Sequence, residues 1–194
     1  MPHDAYADDD IRAILNDVKS IAMVGASPIN VRPSYFVFKY LAQRGYDMIP
    51  VNPTYVGRTL LGKPFVGSLG DLEQPVDMID IFRNSSYIRP VVEAALKLRP
   101  LPRVIWMQLG ARDEEAAATA EAAGLKVVMN RCPKIEYGRL SSEISWMGVN
   151  SRTLSSKRAP MPTTGMRLSL NRTSTSGGET RASDRAAKNN KDPA

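Results

Sequence analysis

The turn Gly25-Ala26-Ser27, the cations Arg32 and Arg83, and the single cysteine Cys132 are the residues whose chemistry reaches beyond packing. Small residues in a tight turn ahead of a helix let backbone N–H groups approach phosphate oxygens, and the helix N-terminus adds positive potential. Arg32 stands just before a helix start expected at Pro33, and Arg83 ends an apolar run. Two cations on one crevice suit a ligand with several phosphates, although each arginine alone fits a surface ion pair equally well. Cys132 has no partner cysteine, so an intramolecular disulfide is excluded and a cysteine-built zinc site is disfavoured. Its thiol reads first as a small buried group; Arg131 or Lys134 nearby would instead lower its pKa and make it reactive. The one histidine, His3, is expected in a loose N-terminus far from any strand end. With that inventory no histidine relay, Ser-His-Asp arrangement or metal site is expected, and no catalytic residue is assigned.

These residues need a scaffold that presents them together. Short apolar runs alternate with helical patterns, the mark of βαβ units and a parallel sheet. Strands are expected at Ser20–Val24, Met48–Val51, Met78–Phe82, Val104–Leu109 and Lys126–Met129. Helices are expected at Asp10–Val18 (capped by one of Asp8 to Asp10), Pro33–Arg44, Ile88–Leu98 (capped by Ser85 or Ser86) and Asp113–Ala123. Residues 54–75, with four glycines and two prolines, read as a loop with a short helical piece near 68–72. The expected fold is α/β: a doubly wound, Rossmann-like, parallel five-stranded sheet with strand order 3-2-1-4-5. Its ligand crevice lies at the carboxyl ends of the strands. Those ends gather Gly25–Ser27, Val51–Pro53, Phe82–Asn84, Gln108–Gly110 and Asn130–Pro133.

A dinucleotide site calls for G-x-G-x-x-G and an acidic residue closing the second strand. Neither is present: no glycine follows Gly25 at positions 27 or 30, and the second strand closes on Asn52-Pro53. An NAD(P)-binding Rossmann enzyme, or a regulatory nucleotide-binding module, is therefore the alternative rather than the leading reading.

The series VGASPINVRPSYFVFKYLAQRGYDMIPVNP, VDMIDIFR, VIWMQLGA and NRCPKIE resembles the CoA-binding domain family over roughly residues 10–148. That family includes the amino-terminal domain of the succinyl-CoA synthetase α subunit and small stand-alone bacterial proteins. The resemblance implies coenzyme A, free or as an acyl thioester, as ligand. By position, Gly25, Ala26 and Ser27 match the turn around the CoA phosphates, and Val51, Asn52 and Pro53 match the segment against the adenosine. Phe82 and Arg83 match the third strand end beside the phosphates or pantetheine, Gln108 and Gly110 the fourth, and Cys132-Pro133 the Asn-Cys-Pro element. One departure is that Thr54-Tyr55 follows Pro53 where the synthetase carries Gly-Lys; Arg32 is the candidate replacement for that charge. Without the synthetase's phosphorylated histidine, the implied protein is a binding module rather than a self-sufficient enzyme.

Charge divides unevenly along the chain. Residues 151–194 hold nine basic and three acidic residues, the whole of the +6 surplus, and leave 17 of each sign in residues 1–150. A CoA-binding domain over 1–150 and a disordered basic tail over 151–194 are expected. The tail, rich in Ser, Thr, Arg and Gly, reads as a solvated extension before it reads as a nucleic-acid contact. No run reaches the roughly 18 apolar residues of a membrane span and the first ten residues do not resemble a signal peptide, so a cytoplasmic protein is expected. A homodimer is compatible with the pattern, although no interface stripe specifies one.

Overall fold

The computed structural model describes His3 and residues 5–141. The expected tail, 151–194, lies outside the described residues. Five parallel strands, β1 (Ser20–Val24), β2 (Asp47–Val51), β5 (Met78–Ile81), β6 (Val104–Met107) and β7 (Lys126–Val128), form the main sheet. A two-residue-per-arm hairpin, β3 (Thr59–Leu60) with β4 (Lys63–Pro64), interrupts the long loop. The helices are α1 (Asp8–Asp17), α2 (Pro33–Gln43), α3 (Ile88–Ala95), α4 (Glu114–Ala122) and α5 (Pro133–Leu140).

The strands are apolar on both faces because both faces are covered. Met23, Met78, Trp106 and Val128 share one face, packed against Ile11 and Leu15 of α1, Phe38 and Leu41 of α2 and Ile135 of α5. Ala22, Ile79, Ile105 and Val127 share the other, beneath Ile88 and Val92 of α3 and Ala117 and Ala120 of α4. The doubly wound, Rossmann-like α/β class is thus the observed one.

The strand order differs from the expected one. It is β2-β1-β5-β6-β7, so residues 78–81 pair with β1 rather than lying outside β2. The place beyond β2 is taken by Val66, which makes a single parallel bridge to Val51. Its N–H donates to the carbonyl of Pro50 at 3.0 Å, and its carbonyl accepts from the N–H of Asn52 at 2.9 Å. Pro50, which has no N–H, turns that side of its backbone to the sheet edge, where proline costs no ladder bond. Pro64 and Gly67 bracket Val66, which keeps this rung from growing into a strand. The apolar run at 78–81 suits any buried position, and only the outward excursion of the preceding loop decides its neighbour.

Caps also differ. Asp8, Asp9 and Asp10 lie inside the first turn of α1, where they favour the positive end of the helix dipole, and the N-cap is Ala7. Ser85 and Ser86 belong to a short 3-10 turn ahead of α3, and the Ser85 hydroxyl accepts from the N–H of Arg112 instead. Asp113 does cap α4, taking the N–H of Ala116 at 2.9 Å. His3, expected far from any strand end, is 7% exposed. It is hydrogen-bonded to the hydroxyl of Tyr6, which accepts the N–H of Met129 just past β7.

Candidate functional site at the strand ends

Because β2 and β5 flank β1 on opposite sides, the carboxyl end of β1 is where the chain diverges, the position at which open α/β sheets form a crevice. The turn after β1 is tied to both neighbours. The N–H of Gly25 donates to the carbonyl of Val51 at 2.9 Å, and the N–H of Phe82 donates to the carbonyl of Val24 at 2.8 Å. Gly25 adopts φ +86°, and a Cβ there would lie 2.3 Å from the Phe82 carbonyl oxygen and 3.3 Å from Cδ of Arg83. Only glycine fits this contact, and the Arg83 side chain runs across the turn.

Asn52 latches the second strand end to the first. Its Nδ2 donates to the carbonyl of Ala26 at 2.8 Å, and its Oδ1 accepts the N–H of Thr54 at 3.1 Å. Pro53 then opens an exposed 3-10 turn, Pro53–Tyr55. The hydroxyl of Ser27 accepts from the N–H of Ile29 at 3.2 Å, which shapes the loop into α2. Among the described residues, the N–H groups of Ala26 and Ser27 meet no protein acceptor. Gly25, Ala26, Ser27, Val51, Asn52, Pro53, Phe82 and Arg83 therefore come together. The side chains of Ala26 and Val51 are buried, so these two offer backbone rather than side chains.

Arg32 is the N-cap residue of α2 and is exposed. Arg83 is half-buried, its guanidinium 5.9 Å from the ring centre of Tyr87. Neither arginine has a carboxylate partner among the described residues. A polyanion at the crevice would thus meet two cations not neutralised by the protein itself.

Gln108 and Gly110 lie one strand further along, at the end of β6. Gly110 (φ +78°) donates its N–H to Oδ1 of Asn130 at 2.8 Å. Gln108 is 6% exposed, and its Nε2 donates to Oδ1 of Asp80 at 2.9 Å. Asp80 is fully buried in β5, and its Oδ2 has no partner among the described residues. Burial pushes its carboxyl up to about 7, against a smaller lowering by the Gln108 bond. Sequence reasoning does not single out Asp80, and the one signal for it is a lone acid inside the apolar run MIDIF.

Cys132 caps α5 at 1% exposure, and burial raises its thiol to about 11. Its N-cap position and the nearby Lys134 do not outweigh that desolvation, so a lowered thiol pKa beside Arg131 or Lys134 is not what the fold produces. Arg131 instead faces Glu136 at 3.7 Å, and Arg139 joins Glu136 and Asp8 at 2.7 and 2.8 Å, linking α5 to α1.

Among the described residues no group of three or more His, Cys, Asp or Glu is placed to hold a metal, and no helix is long and apolar enough to cross a membrane. A cavity of about 330 Å³ lined by Ile14, Val18, Arg103, Val104 and Lys126 lies at the amino ends of β6 and β7, the opposite end of the sheet. It includes none of the candidate residues.

Residues 19–138 match the CoA binding domain family. The protein YneT of Bacillus subtilis (strain 168) is 36% identical over 128 residues, 66% of this chain and 92% of that protein. A solved structure from Thermus thermophilus, cell-free ID.343, is 39% identical with a TM-score of 0.66, covering 70% of this chain and 99% of its own. A hypothetical protein from Pyrococcus horikoshii OT3 is 39% identical with a TM-score of 0.67, covering 73% and 96%. The match runs from β1 into α5 and takes in every strand end that builds the crevice, and the chain belongs to the CoA binding domain family.

Proposed function

We propose that this protein binds coenzyme A, free or as an acyl thioester, in the crevice at the carboxyl ends of β1, β2, β5 and β6, as a cytoplasmic binding module without catalysis of its own. One observation carries the placement. The Gly25–Ser27 turn packs backbone to backbone against Phe82, and among the described residues two of its N–H groups meet no protein acceptor and neither Arg32 nor Arg83 meets a carboxylate. The phosphates sit over that turn between Arg32 and Arg83, the adenosine lies against Val51–Pro53, and the pantetheine runs toward Gln108 and Gly110. The family match supports the ligand class. The NAD(P) reading gains no support, because Asn52, at the position of the ribose-binding acid, spends both ends of its amide on backbone. The buried thiol of Cys132 supports binding without chemistry.

The test is to denature the purified protein and identify any released molecule by mass spectrometry, then to titrate the ligand-free chain calorimetrically with CoA and with NADH. Saturable binding of CoA alone is the expected result. No heat of binding with CoA near millimolar, about −4 kcal/mol in affinity, overturns the reading.

A further inference from the structure

Asp80 stands in β5 in register with Met23 of β1 and Trp106 of β6, fully buried between two apolar neighbours. A carboxylate placed there with one hydrogen bond loses most of its hydration. A neutral carboxyl with its proton on Oδ2 lowers that penalty, although this O–H has no partner among the described residues, and Oδ1 remains an acceptor. That acceptor takes Nε2 of Gln108 at 2.9 Å. With its nitrogen turned inward, the amide of Gln108 directs Oε1 the other way. Among the described residues Oε1 has no partner, and it is not one of the fully buried atoms. A side-chain amide is free to present either end to a ligand, and its inner hydrogen bond selects which. Gln108 lies two strands from β1 in the order β1-β5-β6, roughly 10 Å from the Gly25 turn at the usual spacing. An outward acceptor at that distance disfavours a phosphate and suits an N–H donor.

We propose that Asp80 is a positioning residue that holds the Gln108 amide nitrogen inward, so that Oε1 accepts an amide N–H of the ligand's pantetheine arm. This rests on the CoA reading and assigns one atom of the site to one class of ligand group. Met23, Trp106, Gln108 and Cys132 surround Asp80, none bringing a permanent charge.

The test compares two probes on the full chain by calorimetry: CoA, and adenosine 3′,5′-bisphosphate, which lacks the pantetheine arm. In Asp80→Leu, the Gln108 amide loses the acceptor that holds its nitrogen inward and is free to turn over. CoA is expected to bind about fivefold more weakly, with the bisphosphate unchanged, as for the loss of one hydrogen bond. Gln108→Met, which removes the acceptor and does not depend on the folding of the Asp80 variant, is expected to show the same selective loss. The double variant should lose no more than either single one, because one interaction is removed once. Equal weakening of both probes in Gln108→Met, or none, overturns the proposal while leaving CoA binding in place. Failure of wild type to bind either probe overturns the CoA reading itself.

Discussion

A Cβ on Gly25 would stand 2.3 Å from the carbonyl oxygen of Phe82, closer than any side chain tolerates. Either β1 and β5 separate at their carboxyl ends or the residue stays glycine, and the φ of +86° adds strain for any L side chain. Gly25→Ala is expected to cost about 2–4 kcal/mol, a marked fall in thermal midpoint, and to abolish CoA binding in whatever fraction still folds. Thermal unfolding followed by circular dichroism checks the first part. An unchanged midpoint would show that the turn and the strand end move apart freely.

Arg83 and Arg32 are expected to act on affinity rather than stability, since neither is spent on a carboxylate among the described residues. Arg83→Ala should weaken CoA binding about tenfold or more, the worth of a charge-assisted hydrogen bond, with little change in midpoint. Arg32→Ala should do the same to a lesser degree because its side chain is exposed. Both losses should shrink as salt rises, and titration at two ionic strengths separates this from a packing effect.

Asp80 should impose an unusual pH dependence on stability. Its folded-state pKa, pushed up to about 7, lies above the ordinary value of 3.8, so the native state keeps a proton that the unfolded chain releases. Stability from this group is complete below about pH 4, declines as pH rises to about 7 and is then flat, the whole decline being on the order of 4 kcal/mol at most. Asp77 pulls in a separate window. Although partly buried, it is held below the ordinary carboxylate range by the N–H groups of Lys19 and Ser20 and by Arg103, so its contribution is lost only in stronger acid. Urea unfolding from pH 4 to 8 should show the decline in wild type and a flatter curve for Asp80→Asn; parallel curves would mean that Asp80 is charged in the fold.

The thiol of Cys132 should react slowly. At 1% exposure and a pKa of about 11, it is a neutral buried thiol at pH 8. Labelling with a maleimide is expected to require unfolding, with a rate that follows added urea. Rapid stoichiometric labelling of the native protein, or recovery of a CoA mixed disulfide, would show that the α5 cap opens.

Much of this architecture was legible. The five apolar runs stand where the strands form, and Gly25, Asn52 and Phe82 read as strand ends because turns and prolines bracket them. What stayed hidden depends on partners distant in sequence. A run apolar on both faces, such as 78–81, fits beside β1 as well as beyond β2, and the single rung at Val66 that settles its place has no periodicity to display. Asp80 does not stand out, because nothing local shows Gln108, 28 residues on, donating to it. His3 gave no sign of its tie through Tyr6 to Met129, 123 residues beyond Tyr6. For α5 the markers are local, Pro133 at the first helical position, Glu136 in the first turn and Arg139 in the last, yet no helix is among those expected there.

The rung at Val66 also bears on how the molecule behaves in a crowded solution. A sheet that ends in an open strand invites a second chain to add itself and start a fibril. Here the outermost strand meets such a visitor with a proline that offers no hydrogen, and one carbonyl and one amide that Val66 has already claimed. Beside them lies a hairpin carrying Lys63 and Pro64. The stretch of backbone left for templating is too short to seed growth, so the residues that reduced the flanking strand to one rung also protect the fold from self-association along that edge.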